Sequence, residues 1–525
     1  MKDAEKLRSR LLRAVGDAQA PRGPGKEAAA RPAVHSATGQ VSTGVLGAVP
    51  WVLSGRSAEA LREQALRLRD SVAGDADLPV AEVGYSLVTT RSLFEHRQVV
   101  IGAGRDELLA GLAAIAEGDE SPAGVVSGVA KPVGGTVLVF PGQGWQWAGM
   151  GRELWESCPV FAEQMRGCAA ALAPWVSWSL IDTVCGGPEA ADLDRVDVVQ
   201  PVLFAMMVSL ARVWRSLGVT PDAVIGHSQG EIAAACAAGA LTLPDAAKIV
   251  ALRSRLLATV TQDGGMAGIM LPEHRVRELL ERIGSQAVIA AVNGPNSTTV
   301  SGKASAVRDL VAACESERVR TRWVPASVAG HSPLMDQFEA HFREELGRVT
   351  PVSSPVAFYS TVTGGLIGTE ELDADYWFRN LREPVQFQAT IRRLLEQGHG
   401  AFIEVSAHPV LMMNIREMLG ATPGAAGVTV GSLRRGEGGL ARLYRWAAEA
   451  FVAGVAVSWE AAFPDWDGGG SSRPRTPVRG SEQAAHPSLG FEPLPFPTRD
   501  HRGWAVRWRS GCALPEFLDP PPNYR

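Results

Sequence analysis

Cysteine is scarce in this chain: six in 525 residues, at positions 158, 168, 185, 236, 314 and 512, none spaced as C-x-x-C. That pattern speaks against a disulfide scaffold or a cysteine zinc site and suits a reducing compartment. Long apolar runs are lacking too. No stretch nears the roughly 18–20 residues needed to span a bilayer, and the opening MKDAEKLRSR has no apolar signal core. The protein is therefore read as cytoplasmic, with no membrane partner. Neither sign of charge dominates: 51 Lys+Arg stand against 56 Asp+Glu, a net charge of −5, which leaves no electrostatic footprint for nucleic acid. No internal repeat is visible. What the chain does have is core material. Hydrophobic residues reach 46%, enough to exclude a wholly disordered chain, and at about 150 residues per domain the length implies three to four units.

Several segments stand out along the chain. Residues 1–48 are flexible in composition, with Leu7, Leu11, Leu12 and Val15 at helical spacing near the start and an Ala/Gly/Pro/Arg-rich stretch after them. Order begins near Val49: PWVLSGRS reads as a strand running into a helix capped by Ser57, with Ala58, Leu61, Ala65 and Leu68 on one face. A strand over 97–101 and a helix over 105–115 complete a small α+β unit at 49–130. The buried-strand run at 136–140 then opens an α/β alternation that continues to about 430. Within it, 265–328 reads β-α-β-β-α-β, the order of a ferredoxin-like subdomain. Residues 431–525 hold a flexible linker after Pro464 and the aromatic tail FEPLPFPTRDHRGWAVRW, which is expected to dock on the body.

The strongest chemical signal is DAVIGHSQGEIAAA at 222–235. A short apolar strand meets G-x-S-x-G and an Ala-rich helix follows at once, the context of a nucleophile elbow. The glycines permit a tight turn that exposes the Ser228 hydroxyl, and the helix N-terminus favours negative charge beside it. A serine needs a base. His227 adjoins it but points elsewhere in an elbow, which suits a structural or substrate-contacting role. His331, in ASVAGHSPLMD, precedes a helix and is either the base or a hydrogen-bonded bystander; Asp336 is either its orienting partner or a first-turn charge.

These segments resemble the acyltransferase domains of modular type I polyketide synthases, relatives of the malonyl transacylases of fatty-acid synthesis. The matching stretches are FPGQGWQWAGMG (140–151), RVDVVQPVLFAMMVSLA (195–211), GHSQG (226–230), LRSRL (252–256), AAVNGPNSTTVSG (290–302), the GHS around His331, and EVSAHPVL (404–411), in register over about 48–465. The resemblance implies an α/β-hydrolase-like core at 131–264 and 329–430, the ferredoxin-like insert, a ketosynthase-to-acyltransferase-type linker domain at 49–130 and a post-acyltransferase linker after 431. It makes Ser228 the acyl-accepting nucleophile and His331 its general base, held by a main-chain carbonyl near the SAHP segment with Asn293 close by, so that Asp336 is not needed. The oxyanion hole would be the backbone N–H groups of Gln143 and Gln229. Arg253 matches the arginine that clamps a free carboxylate, a bidentate task suited to guanidinium. The donor is then a malonyl-type CoA thioester and the acceptor the phosphopantetheine thiol of an acyl carrier protein, with no metal or redox cofactor.

The acyl group is read from Val328-Ala329-Gly330-His331. Methylmalonyl-type members resemble Tyr-Ala-Ser-His there and malonyl-type members His-Ala-Phe-His. Gln229 and RVDVVQPVLFA resemble members that use α-substituted malonyl groups. Val for Tyr and Gly for Ser remove volume beside the base, and Val-Ala-Gly-His resembles ethylmalonyl-type members, so ethylmalonyl is expected first and methylmalonyl is the alternative. One methylene is worth roughly 1–3 kcal/mol, about 10–200-fold. No carrier or ketosynthase motif is found in the sequence, so a discrete, trans-acting enzyme is expected, with a piece excised from a larger synthase as the alternative. Two other functions keep the same residues in view: an acyl-thioester hydrolase with the same Ser-His dyad, which Arg253 weighs against, and a non-catalytic carrier-binding scaffold, which the intact GHSQG and PGQG weigh against.

Overall fold

The computed structural model describes residues 47–119, 123–259, 264–324, 329–424 and 427–463. The helix and linker expected in 1–46, the tail beyond 463 and Val328 lie outside the described residues.

The first layer is a three-stranded antiparallel sheet, β1 (Val49–Gly55), β2 (His96–Gly102) and β3 (Val125–Val129), in that order. Ser57 caps the Ala58–Ala73 helix by accepting from the Ala60 N–H at 3.2 Å. Leu61, Ala65, Leu68 and Val72, at 3.6-residue spacing, form its buried stripe. The Val80–Thr89 helix, which sequence reading passed over, also packs on β1.

The central sheet holds six strands in the order β11-β10-β5-β4-β12-β13. These are β4 (Gly135–Phe140), β5 (Ala223–Gly226), β10 (Ala357–Ser360), β11 (Gly365–Ile367), β12 (His399–Glu404) and β13 (Val428–Val430). All pairings are parallel except that of the edge strand β11. Strand alternation puts Leu138 and Phe140 of β4 in one apolar cluster and Val137 and Val139 in another, so both faces of the sheet are covered. This is the mixed α/β architecture expected. β4 and β5 lie side by side with Phe140 opposite Gly226, so the PGQG and HSQG segments leave the same edge as neighbours. Crevices at the carboxyl ends of such strands are where open α/β sheets place their ligands.

Between the Leu243–Ala258 helix and His331 stands a separate antiparallel sheet, ordered β7-β8-β6-β9. Its strands are β6 (Gly264–Ile269), β7 (Val288–Gly294), β8 (Ser297–Lys303) and β9 (Thr321–Trp323). The two helices between them, Glu273–Arg282 and Ala304–Ser316, contribute Val276, Leu279, Val307, Leu310 and Cys314 to one core with Ala267, Ile269 and Val300. The sheet is tied to the main body by Val385, whose N–H donates to Ala290 O at 2.8 Å while its carbonyl accepts from Val292 N–H at 2.9 Å.

One expectation is corrected. The Val196–Ser216 helix is 21 residues long and apolar enough to cross a membrane by length and composition, although Asp197, Gln200, Arg212 and Arg215 break up the run in the sequence. It is wrapped inside the protein by the Pro159–Leu172, Gly230–Ala238 and Leu243–Ala258 helices. Past residue 431 the chain stays packed on the body, ahead of the linker expected after Pro464. The Leu440–Ala453 helix packs against β2, β3 and β13; Arg97 Nη1 donates to Phe451 O at 2.8 Å and Lys131 N–H to Ala453 O at 3.1 Å. Tyr444, Phe451 and Trp459 form an aromatic seam there, and this burial is what holds the segment in place.

Candidate active site

Ser228 sits between β5 and the Gly230–Ala238 helix with φ 54°, in the left-handed region. The turn is tight enough to require both glycines. A Cβ on Gly226 would lie 2.2 Å from Glu231 N, and one on Gly230 would lie 2.0 Å from Phe140 O, both backbone atoms. The G-x-S-x-G spacing is thus a packing requirement between the elbow and the end of β4.

His331 reaches Ser228 from a distant part of the chain. Its Nε2 lies 2.7 Å from Ser228 Oγ, and its Nδ1–H donates to Glu383 O at 2.7 Å. The second bond fixes the tautomer: with the proton on Nδ1, Nε2 is the acceptor that faces the serine hydroxyl. The His331 backbone N–H donates to Leu381 O at 2.8 Å, so both anchors come from the end of the Ala374–Arg382 helix. The expectation of a carbonyl near SAHP is corrected. There Glu404 accepts from the N–H groups of Val410, Leu411 and Met412, so that segment closes on itself. Asp336 pairs with Arg382 and takes no part in holding His331.

Arg253 is 2% exposed, on the Leu243–Ala258 helix. Its Nη2 donates to Ser228 Oγ at 3.0 Å and its Nη1 to Gln200 Oε1 at 2.7 Å. Gln200 Nε2 in turn lies 3.4 Å from Gln143 Oε1, which links the guanidinium to the PGQG loop. Burial lowers the Arg253 pKa to about 10, which leaves it charged at neutral pH. Burial first, and then the Arg253 cation, lower the His331 pKa to about 3, so its imidazole is neutral and able to accept a proton.

His227 is turned away from this contact. Its Nε2–H donates to Asn293 Oδ1 at 2.7 Å, Asn293 Nδ2 donates to Thr299 Oγ1 at 3.0 Å, and burial lowers the imidazole's pKa. Asn293 therefore serves His227, and through it the joint between the elbow and the smaller sheet. The Gln229 backbone stands at the helix N-terminus, where N–H groups lack intrahelical acceptors. Its side chain is 1% exposed, and neither amide atom finds a partner among the described residues. Ala329 and Gly330 are buried beside His331, and a Cβ on Gly264 would lie 2.7 Å from Ala329 N.

Sequence reading assigned no role to Gln200, Glu231, Thr361, Tyr376, Asn380 or Glu383. Glu231 carried a usable signal, as the lone charge in an otherwise apolar EIAAACAA helix. The others lie 28 to 155 positions from Ser228 in sequence and become neighbours only through the fold. Among the described residues no group of three or more His, Cys, Asp or Glu side chains is placed to hold a metal. Cavities of about 210 Å³ beside Trp459 and about 550 Å³ beside Phe358 share no residue with this cluster.

The profile of the family described as acyl transferase domain matches residues 137–457, and that described as CurL-like, PKS C-terminal matches residues 50–112. Over 416 residues the chain is 51% identical to the spectinabilin polyketide synthase system protein NorA' of Streptomyces orinoci, covering 79% of this chain and 11% of that protein. Over 413 residues it is 51% identical to the mycoketide-CoA synthase of Mycobacterium tuberculosis, covering 78% of this chain and 10% of that one. The chain thus spans about a tenth of the length of these curated relatives. Among solved structures, the acyltransferase domain from module 8 of the salinomycin polyketide synthase is similar with a TM-score of 0.75 at 48% identity, over 79% of this chain and 98% of that one.

Proposed function

The chain belongs to the acyl transferase domain family of polyketide synthases, and we propose that it moves a malonyl-type acyl group from CoA, through an ester on Ser228, to the phosphopantetheine thiol of an acyl carrier protein. The observation that carries this reading is the 2.7 Å contact between Ser228 Oγ and a His331 Nε2 left unprotonated by the bond from Nδ1–H to Glu383 O. His331 takes the Ser228 proton as Oγ attacks the thioester carbonyl. The oxyanion forms between the Gln143 and Gln229 N–H groups, and CoA leaves as its sulfur is reprotonated from the imidazolium. The carrier thiol, deprotonated by the same imidazole, then attacks the ester carbonyl. The C–Oγ bond breaks, the acyl group stays on the carrier sulfur, and Ser228 Oγ takes its proton back from the imidazolium. The α/β-hydrolase-like core and ferredoxin-like insert belong to the same proposal; strand order β7-β8-β6-β9 with both helices in one core supports the second.

Arg253 sets the substrate class. A buried guanidinium 3.0 Å from the nucleophile has a use if the acyl group carries its own carboxylate, and a hydrolase of neutral acyl chains would have none. The best reading of that group is an α-substituted malonyl, ethylmalonyl before methylmalonyl. It rests on the lack of a side chain at Gly330 and on the buried Gln229 amide, whose unpartnered atoms a bound acyl group would satisfy. The expectation of a discrete, trans-acting enzyme draws no support from the curated relatives, in which the matched region makes up 11% or 10% of a longer chain.

The test is CoA release from ethylmalonyl-CoA with and without a holo carrier protein. Release that needs the carrier, with parallel double-reciprocal lines, supports the transferase. Steady release without carrier would replace it with the hydrolase.

A further inference from the structure

One carboxylate beside the reacting serine plays no part in the steps above. Glu231 is fully buried in the first turn of the Gly230–Ala238 helix. Its Oε1 accepts from the Thr361 hydroxyl at 2.7 Å and from the Thr361 backbone N–H. Its Oε2 accepts from the Tyr376 hydroxyl at 2.6 Å and from Asn380 Nδ2 at 2.9 Å. Ser360 in turn stands 2.8 Å from the Tyr376 hydroxyl.

These donors belong to the two pieces of chain that flank the Ser228–His331 contact. Thr361 follows β10, the strand next to β5, and its hydroxyl also lies 3.1 Å from Gly226 O at the base of the elbow. Tyr376 and Asn380 lie on the Ala374–Arg382 helix, and Asn380 Nδ2 also stands 3.2 Å from Ser228 O. That helix delivers Leu381 O and Glu383 O, the two acceptors that hold His331. One side chain therefore joins the support of the nucleophile to the support of the base. An isolated buried carboxylate is costly, and an apolar residue of similar volume would fill the space more cheaply. Four converging donors make sense where a geometry has to be held.

We propose that Glu231 is a positioning residue that sets the Ser228–His331 contact by clamping the Ala374–Arg382 helix to the elbow, an inference that rests on the acyl-serine reading above. Without the carboxylate the helix and the elbow settle independently. Displacements of about 1 Å in such a pair cost on the order of 10²-fold in rate.

The experiment compares covalent labelling of Ser228 by a fluorophosphonate in the wild type, Glu231→Gln, Tyr376→Phe and Thr361→Val, followed by intact-protein mass. In that reaction Oγ bonds to phosphorus, fluoride leaves, and the serine proton passes to His331. Glu231→Gln keeps the size of the side chain but turns an amide NH₂ toward donors. Its labelling rate is expected to fall about 30–100-fold, and kcat for acyl transfer with it, while KM for the acyl-CoA stays within about threefold. Tyr376→Phe and Thr361→Val each remove a donor without a large cavity and are expected to slow labelling about 3–10-fold at unchanged KM. They carry the test if Glu231→Gln does not fold. A Glu231→Gln rate equal to wild type overturns the inference, as do wild-type rates in both smaller variants. A folded wild type that does not label at all overturns the acyl-serine reading and this inference together.

Discussion

Ser228 and His331 meet at 2.7 Å, and both hold left-handed backbone conformations, with φ of 54° and 58°. Among the described residues only one other non-glycine, Arg318, has a positive φ. Such a backbone costs of order 1–3 kcal/mol per residue and persists where the surroundings over-determine it. Those surroundings are visible at both residues. Gly226 and Gly230 let the elbow close on Glu231 and Phe140, and Leu381 O captures the His331 N–H.

The strain at Ser228 predicts an inverted stability order. Glycine ordinarily destabilises a structured position relative to alanine, but it adopts a φ of 54° without steric cost. Ser228→Gly is expected to be more stable than Ser228→Ala by about 1 kcal/mol, with both inactive. Paired thermal or urea melts check this, and the usual order, alanine above glycine, would contradict it.

The elbow was legible because its cause is local: apolar strand, two obligatory glycines and an Ala-rich helix in one short run. The β-α-β-β-α-β order of the smaller sheet was legible for the same reason, since its strands and helices alternate cleanly with their turns. The carbonyl that holds His331 was not. Glu383 lies 52 positions away, at the end of the Ala374–Arg382 helix, and no local pattern announces that its carbonyl faces His331. The Glu231 donors were hidden likewise, because Thr361, Tyr376 and Asn380 are brought together by a parallel sheet and a helix packed behind it. The apolar character of Val196–Ser216 was obscured by a few polar residues, two of which, Gln200 and Ser209, are themselves buried.

Arg253 is expected to govern preference for acyl groups that carry a carboxylate. A charge-assisted hydrogen bond is worth about 1.5–3 kcal/mol, so Arg253→Ala should lower kcat/KM for malonyl-type thioesters by roughly 10–150-fold. Use of butyryl-CoA, which lacks the carboxylate, should change far less. Initial rates with the two donors decide it; equal losses for both would remove the clamp from the account.

The pH dependence follows from His331. With its pKa held at about 3, the base stays neutral across the ordinary range, so kcat/KM should show no inflection near the usual histidine value of 6.5. Stability carries the opposite signature. The unfolded chain takes up a proton near 6.5 that the folded site accepts only near about 3, so stability falls as pH drops through that window. His331→Gln should remove that part of the acid sensitivity. Kinetics after rapid pH jumps and melts between pH 7 and 4 measure the two effects, and a clear acid limb centred near 6.5 would contradict the first.

Under the proposed function, volume beside His331 is expected to govern the choice of acyl group. Gly330→Ser adds a hydroxymethyl next to His331 and is expected to reduce the ethylmalonyl-to-methylmalonyl ratio by about tenfold, within the roughly 10–200-fold a single methylene commands. Competition between the two CoA thioesters reads the ratio. An unchanged ratio would move selectivity to other residues.

The central claim is that Ser228 carries the acyl group. The most direct test is intact-protein mass spectrometry after brief exposure to an equimolar mixture of malonyl-, methylmalonyl- and ethylmalonyl-CoA, with Ser228→Ala alongside. An ethylmalonyl adduct is expected on the wild type and none on the variant. An adduct that survives in Ser228→Ala, or no adduct on a folded wild type that releases no CoA, would contradict it.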